Sequence, residues 1–113
     1  MIKPGFEATA RQEINRLIDE GEAILNRCSL ENFMADGGAE ARQNEVAFWL
    51  ANAEGVLPPL LIDPNDAAPL ARARLTEAIE ALNPQPPSAK QLREAFTEFV
   101  NERVRLLNQM IGH

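Results

Sequence analysis

Histidine and cysteine are the side chains that most often serve as base, nucleophile or metal ligand near neutral pH, and this 113-residue chain has one of each. His113 is the final residue, and a terminal position frays too readily to hold a base against a substrate. Cys28 falls on an apolar helical stripe, where a thiol packs as a small hydrophobe and stays protonated. A single cysteine forms neither an intramolecular disulfide nor a cysteine-based metal site.

The carboxylates Glu13, Asp19, Glu20, Glu22, Glu94, Glu98 and Glu102 fall mostly opposite the apolar stripes of their segments. A paired acid–base site needs two carboxyls in one cleft with different environments, so these read as solvated surface. Glu98 and Glu102 are spaced to pair with Arg93, Arg103 and Arg105, each pair worth about 0.2–0.5 kcal/mol. Asp36-Gly37-Gly38 lacks the strand and the Gly-Lys-Ser/Thr continuation of a phosphate loop and reads as a turn. Arg11, Arg16, Arg42, Arg72 and Arg103 leave one chemistry open, a small all-helical enzyme holding an anionic ligand through arginines. No catalytic, cofactor or metal residue is assigned.

Charge narrows the partners. The net charge is -6, and it is unevenly spread, with 12 acids against 5 bases in residues 1–66 and 5 acids against 6 bases in residues 67–113. Without a basic stripe the chain lacks the counterion release that drives nucleic-acid binding, and anionic lipid heads repel it. Neither nucleic acid nor membrane is an expected partner. The start Met1-Ile2-Lys3-Pro4-Gly5 has no apolar stretch behind a basic one, and no apolar run approaches the roughly 18 residues of a membrane-spanning helix, so a cytoplasmic protein is expected.

The elements that position these residues are helical. Hydrophobic residues make up 45% and charged residues 25% of the chain, ordinary composition for one domain covering residues 1–113. Proline and glycine clusters at Asp36-Gly37-Gly38, Leu57 to Pro64 and Asn83 to Pro87 cut it into four helical segments. The first, about Phe6 to Met34, repeats Phe6, Ala10, Ile14, Leu17, Ile18, Ile24, Leu25 and Cys28 at steps of three and four. Within it, Gly21 marks either a close helix crossing or a break, the break falling near Ser29, a capping residue.

The second segment, about Ala39 to Glu54, places Val46, Trp49, Leu50 and Ala53 on one side, with Phe48 about 100° from Trp49. A connector, Val56-Leu57-Pro58-Pro59-Leu60-Leu61-Ile62, reads as extended chain lying on the bundle because two prolines break it. The third segment follows Asp63-Pro64-Asn65-Asp66, a capping aspartate with proline in the first turn, carries Leu75, Ala78, Ile79 and Leu82, and stops at Asn83-Pro84. The fourth begins at a capping box, Ser88 with Gln91, and its apolar positions Leu92, Phe96, Phe99, Val100, Val104, Leu106, Leu107, Met110 and Ile111 cover close to half the circumference. No strand pattern interrupts these. The expected fold is all-α, a small four-helix bundle with a proline-rich connector between helices 2 and 3.

Two features exceed what a closed bundle needs. Arg103 lies near the middle of the apolar half of the fourth helix; either its stem packs on the core while its head reaches water or an acid of the first helix, or the face looks onto a partner. Phe48 beside Trp49 poses the same alternative, a central helix or a contact surface. The sequence therefore points to a non-enzymatic, bacterial-type regulatory or adaptor protein, homodimeric, whose protein-binding face comprises Phe48, Trp49, Arg103, Leu106, Leu107, Met110 and Ile111. It would act by occlusion, for example by covering a regulator's own dimer interface. An assembly chaperone for a phage or secretion-system component is the alternative in the same spirit.

Overall fold

The structure, a computed structural model, describes residues 2–70, 73–83 and 85–112. His113, Arg72 and Pro84, singled out from the sequence, lie outside the described residues. Among the described residues the regular elements are α1 (Glu7–Arg27), α2 (Leu30–Met34), α3 (Gly38–Val56), α4 (Ala73–Glu80) and α5 (Ala89–Met110), with 3-10 turns at Pro58–Leu60 and Pro64–Leu70. The protein is all-α. Five α-helices stand where four segments are expected, because the first segment is cut at Ser29.

The cut is made by two reciprocal caps. Ser29 is extended, and its hydroxyl accepts from the Asn32 amide at 3.1 Å, starting α2. The Asn32 side chain donates back to the Arg27 carbonyl at 2.7 Å, satisfying an end group of α1. Gly21 serves the other purpose weighed for it. A Cβ there would lie 2.7 Å from Cζ2 of Trp49 and 2.8 Å from Cγ2 of Val104, so α1, α3 and α5 cross at a point where only hydrogen fits.

The turn into α3 also needs glycine, since Gly37 has φ of 70° and a Cβ on Gly38 would fall on the Asn32 carbonyl. The connector beyond α3 is not extended as expected. Leu57 keeps helical angles and Pro58–Leu60 makes a 3-10 turn, because a proline at the first position of a turn loses no needed hydrogen bond and already has the right φ. Leu61 is extended and bridges to Ile2, with the Lys3 amide donating to the Leu60 carbonyl at 2.9 Å. Leu57, Leu60 and Leu61 are buried and Ile62 is exposed.

The third segment is likewise shorter as an α-helix than its pattern implies. Asp63 Oδ1 accepts from the Asn65 amide at 3.0 Å, but the element it starts is the 3-10 turn Pro64–Leu70, with Pro69 inside it. Proline there withholds the amide that an α-helix would need, and α4 is described over Ala73–Glu80. The α5 capping box is present in full: the Gln91 amide donates to Ser88 Oγ at 3.2 Å and the Ser88 amide to Gln91 Oε1 at 2.9 Å. Gln91 also donates through its side chain to the Asn83 carbonyl, tying the start of α5 to the end of the preceding segment.

α1 is the middle helix, packing on α5 most extensively and on α3 next, while α3 and α5 meet only narrowly. The core runs through Ile14, Leu17, Val46, Leu50, Phe96, Val100 and Leu107. Phe33 brings α2 onto it, edge-on to Phe96 with ring centroids 5.1 Å apart.

Candidate functional site

Three of the surface clefts take up the residues with chemical potential, and they differ in what they can bind. The most apolar lies between α1 and α3. Arg27 pairs with Glu45, and Trp49 donates its indole N–H to the Leu17 carbonyl at 2.8 Å, so the two helices run antiparallel. α1 contributes Glu20, Ala23, Ile24 and Arg27, and α3 contributes Asn44, Glu45, Phe48, Trp49 and Asn52, around a groove of about 500 Å³. Steps of three and four on both walls are what a packed helix pair offers to a third helix.

Ile24 and Trp49 form the floor, 3% and 2% exposed, whereas Phe48 stands on the wall 79% exposed. Covering a phenylalanine side chain is worth roughly 1.5–3 kcal/mol, and α3 offers it no cover in this chain. From Val46 to Ala53, α3 carries no charged residue, the depletion typical of the centre of a protein contact. The ends of the groove are charged instead. Glu45 and Arg27 line one end and pair at 3.1 Å, and Glu20 lines the other; beyond the lining, Arg42 donates to Glu45 at 3.0 Å and Arg16 to Glu20 at 2.8 Å.

The comparisons with known proteins add nothing to this geometry. No family model, no curated protein and no solved structure matches the chain.

The seven residues expected to form one binding face are not brought together. Phe48 alone reaches the α1/α3 groove as an exposed side chain; Trp49 is beneath it in the core. Arg103, Leu107 and Ile111 are buried on α5. Arg103 lies with its guanidinium carbon 3.7 Å from the Phe99 ring centroid and pairs at 3.1 Å with Glu102, its neighbour on α5. The ring face and the adjacent carboxylate both help to hold its charge. Leu106 and Met110 are half-buried and line a second, smaller cleft of about 240 Å³ with Leu61, Asp66, Pro69 and Gln109. α5 is apolar over half its circumference because α1, α2, α4 and the Pro64–Leu70 turn all pack on it.

The third cleft, about 680 Å³, is lined by Leu25 and Cys28 on one side and by Arg93, Glu94, Thr97, Glu98, Asn101 and Arg105 of α5. It holds two arginines, the feature required of an anion-binding pocket, but they are twelve positions apart, about 18 Å along the helix, with Glu94 and Glu98 between them. Alternating charge on a helix wall is not a cationic cradle. Burial pushes the Cys28 thiol above its ordinary range, with Arg42 opposing and Glu45 adding to the shift, so the sulfur at this cleft is a thiol and a weak nucleophile. Among the described residues no group of three histidine, cysteine or acidic side chains is placed to hold a metal ion, and no helix is long and apolar enough to cross a membrane. The anion-site arginines are dispersed as well: Arg16 and Arg42 are held by separate acids on α1 and α3, and Arg103 is in the core.

Sequence reasoning missed Ala23, Ile24, Arg27, Asn44, Glu45 and Asn52 as groove residues and read Glu20 as solvated surface. The available signal was the uncharged run around Phe48, which read as a central helix as readily as a covered one.

Proposed function

We propose that this chain is a non-enzymatic binding protein that docks an apolar helical element of another protein in the α1/α3 groove and regulates that protein by covering it. The observation that carries the reading is Phe48, exposed mid-helix on the wall of a groove floored by Ile24 and Trp49. An aromatic side chain beside a hydrophobic hollow is the usual composition of the few residues that dominate a protein contact. The groove's two antiparallel walls suit an amphipathic helix presenting residues at i, i+3, i+4 and i+7.

The test is capture of partners from lysate by the tagged chain, by Phe48→Glu and by Met110→Glu. The expected result is one stoichiometric protein retained by the native chain and by Met110→Glu and lost by Phe48→Glu, with equal helix content by circular dichroism in all three. Loss on Met110→Glu alone would move the contact to the Leu106/Met110 cleft, and retention by Phe48→Glu would overturn the groove assignment. A captured protein that aggregates when made without this chain would fit the assembly-chaperone form of the same reading.

A further inference from the structure

The bundle grips its helices unequally, and the most lightly held of the longer ones lies over the apolar arc of α5. We infer that α4 is a displaceable strap: it lifts off α5 as a unit while α1, α3 and α5 stay packed, and in doing so bares apolar surface of α5 that the closed form hides.

Length is the first reason. The eight residues Ala73–Glu80 make about two turns, roughly 12 Å, and a helix that short persists in water only by packing. The packing is thin. The apolar stripe of this segment is Leu75, Ala78, Ile79 and Leu82, yet of the side chains from 75 to 83 only Leu75 is buried, at 3% exposure, while Ala78, Ile79 and Leu82 are half-buried. Among the described residues α5 is the one element on which α4 packs to any extent, whereas α1 is gripped by both α5 and α3.

The end of the helix is closed locally. Nε2 of Gln85 donates to the carbonyl of Leu82 at 2.7 Å and to that of Ile79 at 3.1 Å. Those bonds satisfy end groups of the segment from a residue just beyond it, so they travel with α4 and do not fasten it to the bundle. The anchors lie outside the helix. Before it, Ala67 and Leu70 of the 3-10 turn are buried; after it, the Gln91 side chain holds the Asn83 carbonyl at the capped start of α5. Leu70 and Asn83 are thirteen positions apart. A span that short, fixed at both ends, recloses at little entropic cost, which makes α4 a unit of local opening and not a first step of global unfolding.

This sets a limit on what Leu75 contributes. A side chain that acts within the strap weakens the whole fold by no more than the strap's own detachment costs, because beyond that point the strap is simply open. Native-state hydrogen exchange of the full chain, in urea below the unfolding transition, reads the opening amide by amide. The amides from Glu77 to Leu82 should exchange through an opening with little urea dependence and be at least about tenfold less protected than the central amides of α1. Leu75→Ala should lower their protection about tenfold or more and leave that of α1 in place. It should shift the urea midpoint far less than Leu17→Ala, at a leucine 0% exposed in α1. It should also bind more of the dye anilinonaphthalene sulfonate than the native chain does. Exchange of the α4 amides with the protection and urea dependence of α1, or a Leu75→Ala midpoint shift as large as that of Leu17→Ala, would overturn the strap. Unchanged dye binding by Leu75→Ala would overturn the baring of α5.

Discussion

Gly21 shows how one hydrogen atom sets the spacing of three helices. Alanine there would gain about 1 kcal/mol of helix propensity, but its Cβ would meet Trp49 and Val104 at 2.7 and 2.8 Å. Neither neighbour can yield cheaply, because the indole is held by its bond to the Leu17 carbonyl and the valine is branched. Overpacking of this kind costs about 1–3 kcal/mol, so Gly21→Ala should lower the urea midpoint despite its better propensity. Cys28 yields a second prediction. Its thiol is held above the ordinary range, first by burial, while the unfolded chain titrates near about 8.5. A raised folded-state value stabilises the fold below the unfolded value and loses that contribution as pH climbs through the folded one. The native protein should react slowly with a thiol reagent at pH about 8 and rapidly in urea, and its stability should fall more between pH about 8 and 10 than that of Cys28→Ala.

At the scale of elements, the signals that proved legible were local. The capping box at Ser88 and Gln91 was readable because its partners are three residues apart, and Ser88→Ala should cost about 1 kcal/mol in thermal or urea unfolding. The break at Ser29 was legible only as one of two alternatives, since its second half, the Asn32 side chain on the Arg27 carbonyl, joins two helices across a turn that no periodicity describes. The connector was misread for a related reason: two adjacent prolines exclude an α-helix interior yet suit a 3-10 turn, and what chose between turn and extended chain was the burial of Leu57, Leu60 and Leu61, a tertiary matter. The wide apolar arc of α5 was real, but whether neighbours from its own chain fill it depends on where α2, α4 and the Pro64–Leu70 turn go. Arg103 illustrates the limit, because it lies over an aromatic face four positions earlier on the same helix, a pairing equally available to an interface arginine.

For the whole molecule, the groove is where folding and binding draw on the same surface, and the balance is measurable as stability. The core closes without Phe48, which is 79% exposed, so replacing it should not weaken the monomer. If each copy covers the other's Phe48, association adds to folding by mass action, and the apparent stability of the native chain rises with its own concentration. A hundredfold rise in concentration across the dissociation constant of such a self-contact should therefore raise Tm by a few degrees, because about 1 kcal/mol corresponds to about 4–8 °C in a domain of this size. Phe48→Glu should show a Tm independent of concentration and equal to that of the dilute native protein. Calorimetry at two concentrations of each chain measures both quantities. A concentration-dependent Tm that survives in Phe48→Glu would locate the self-contact elsewhere, with the Leu106/Met110 cleft the next surface to probe; a native Tm indifferent to concentration would leave Phe48 exposed for a different protein.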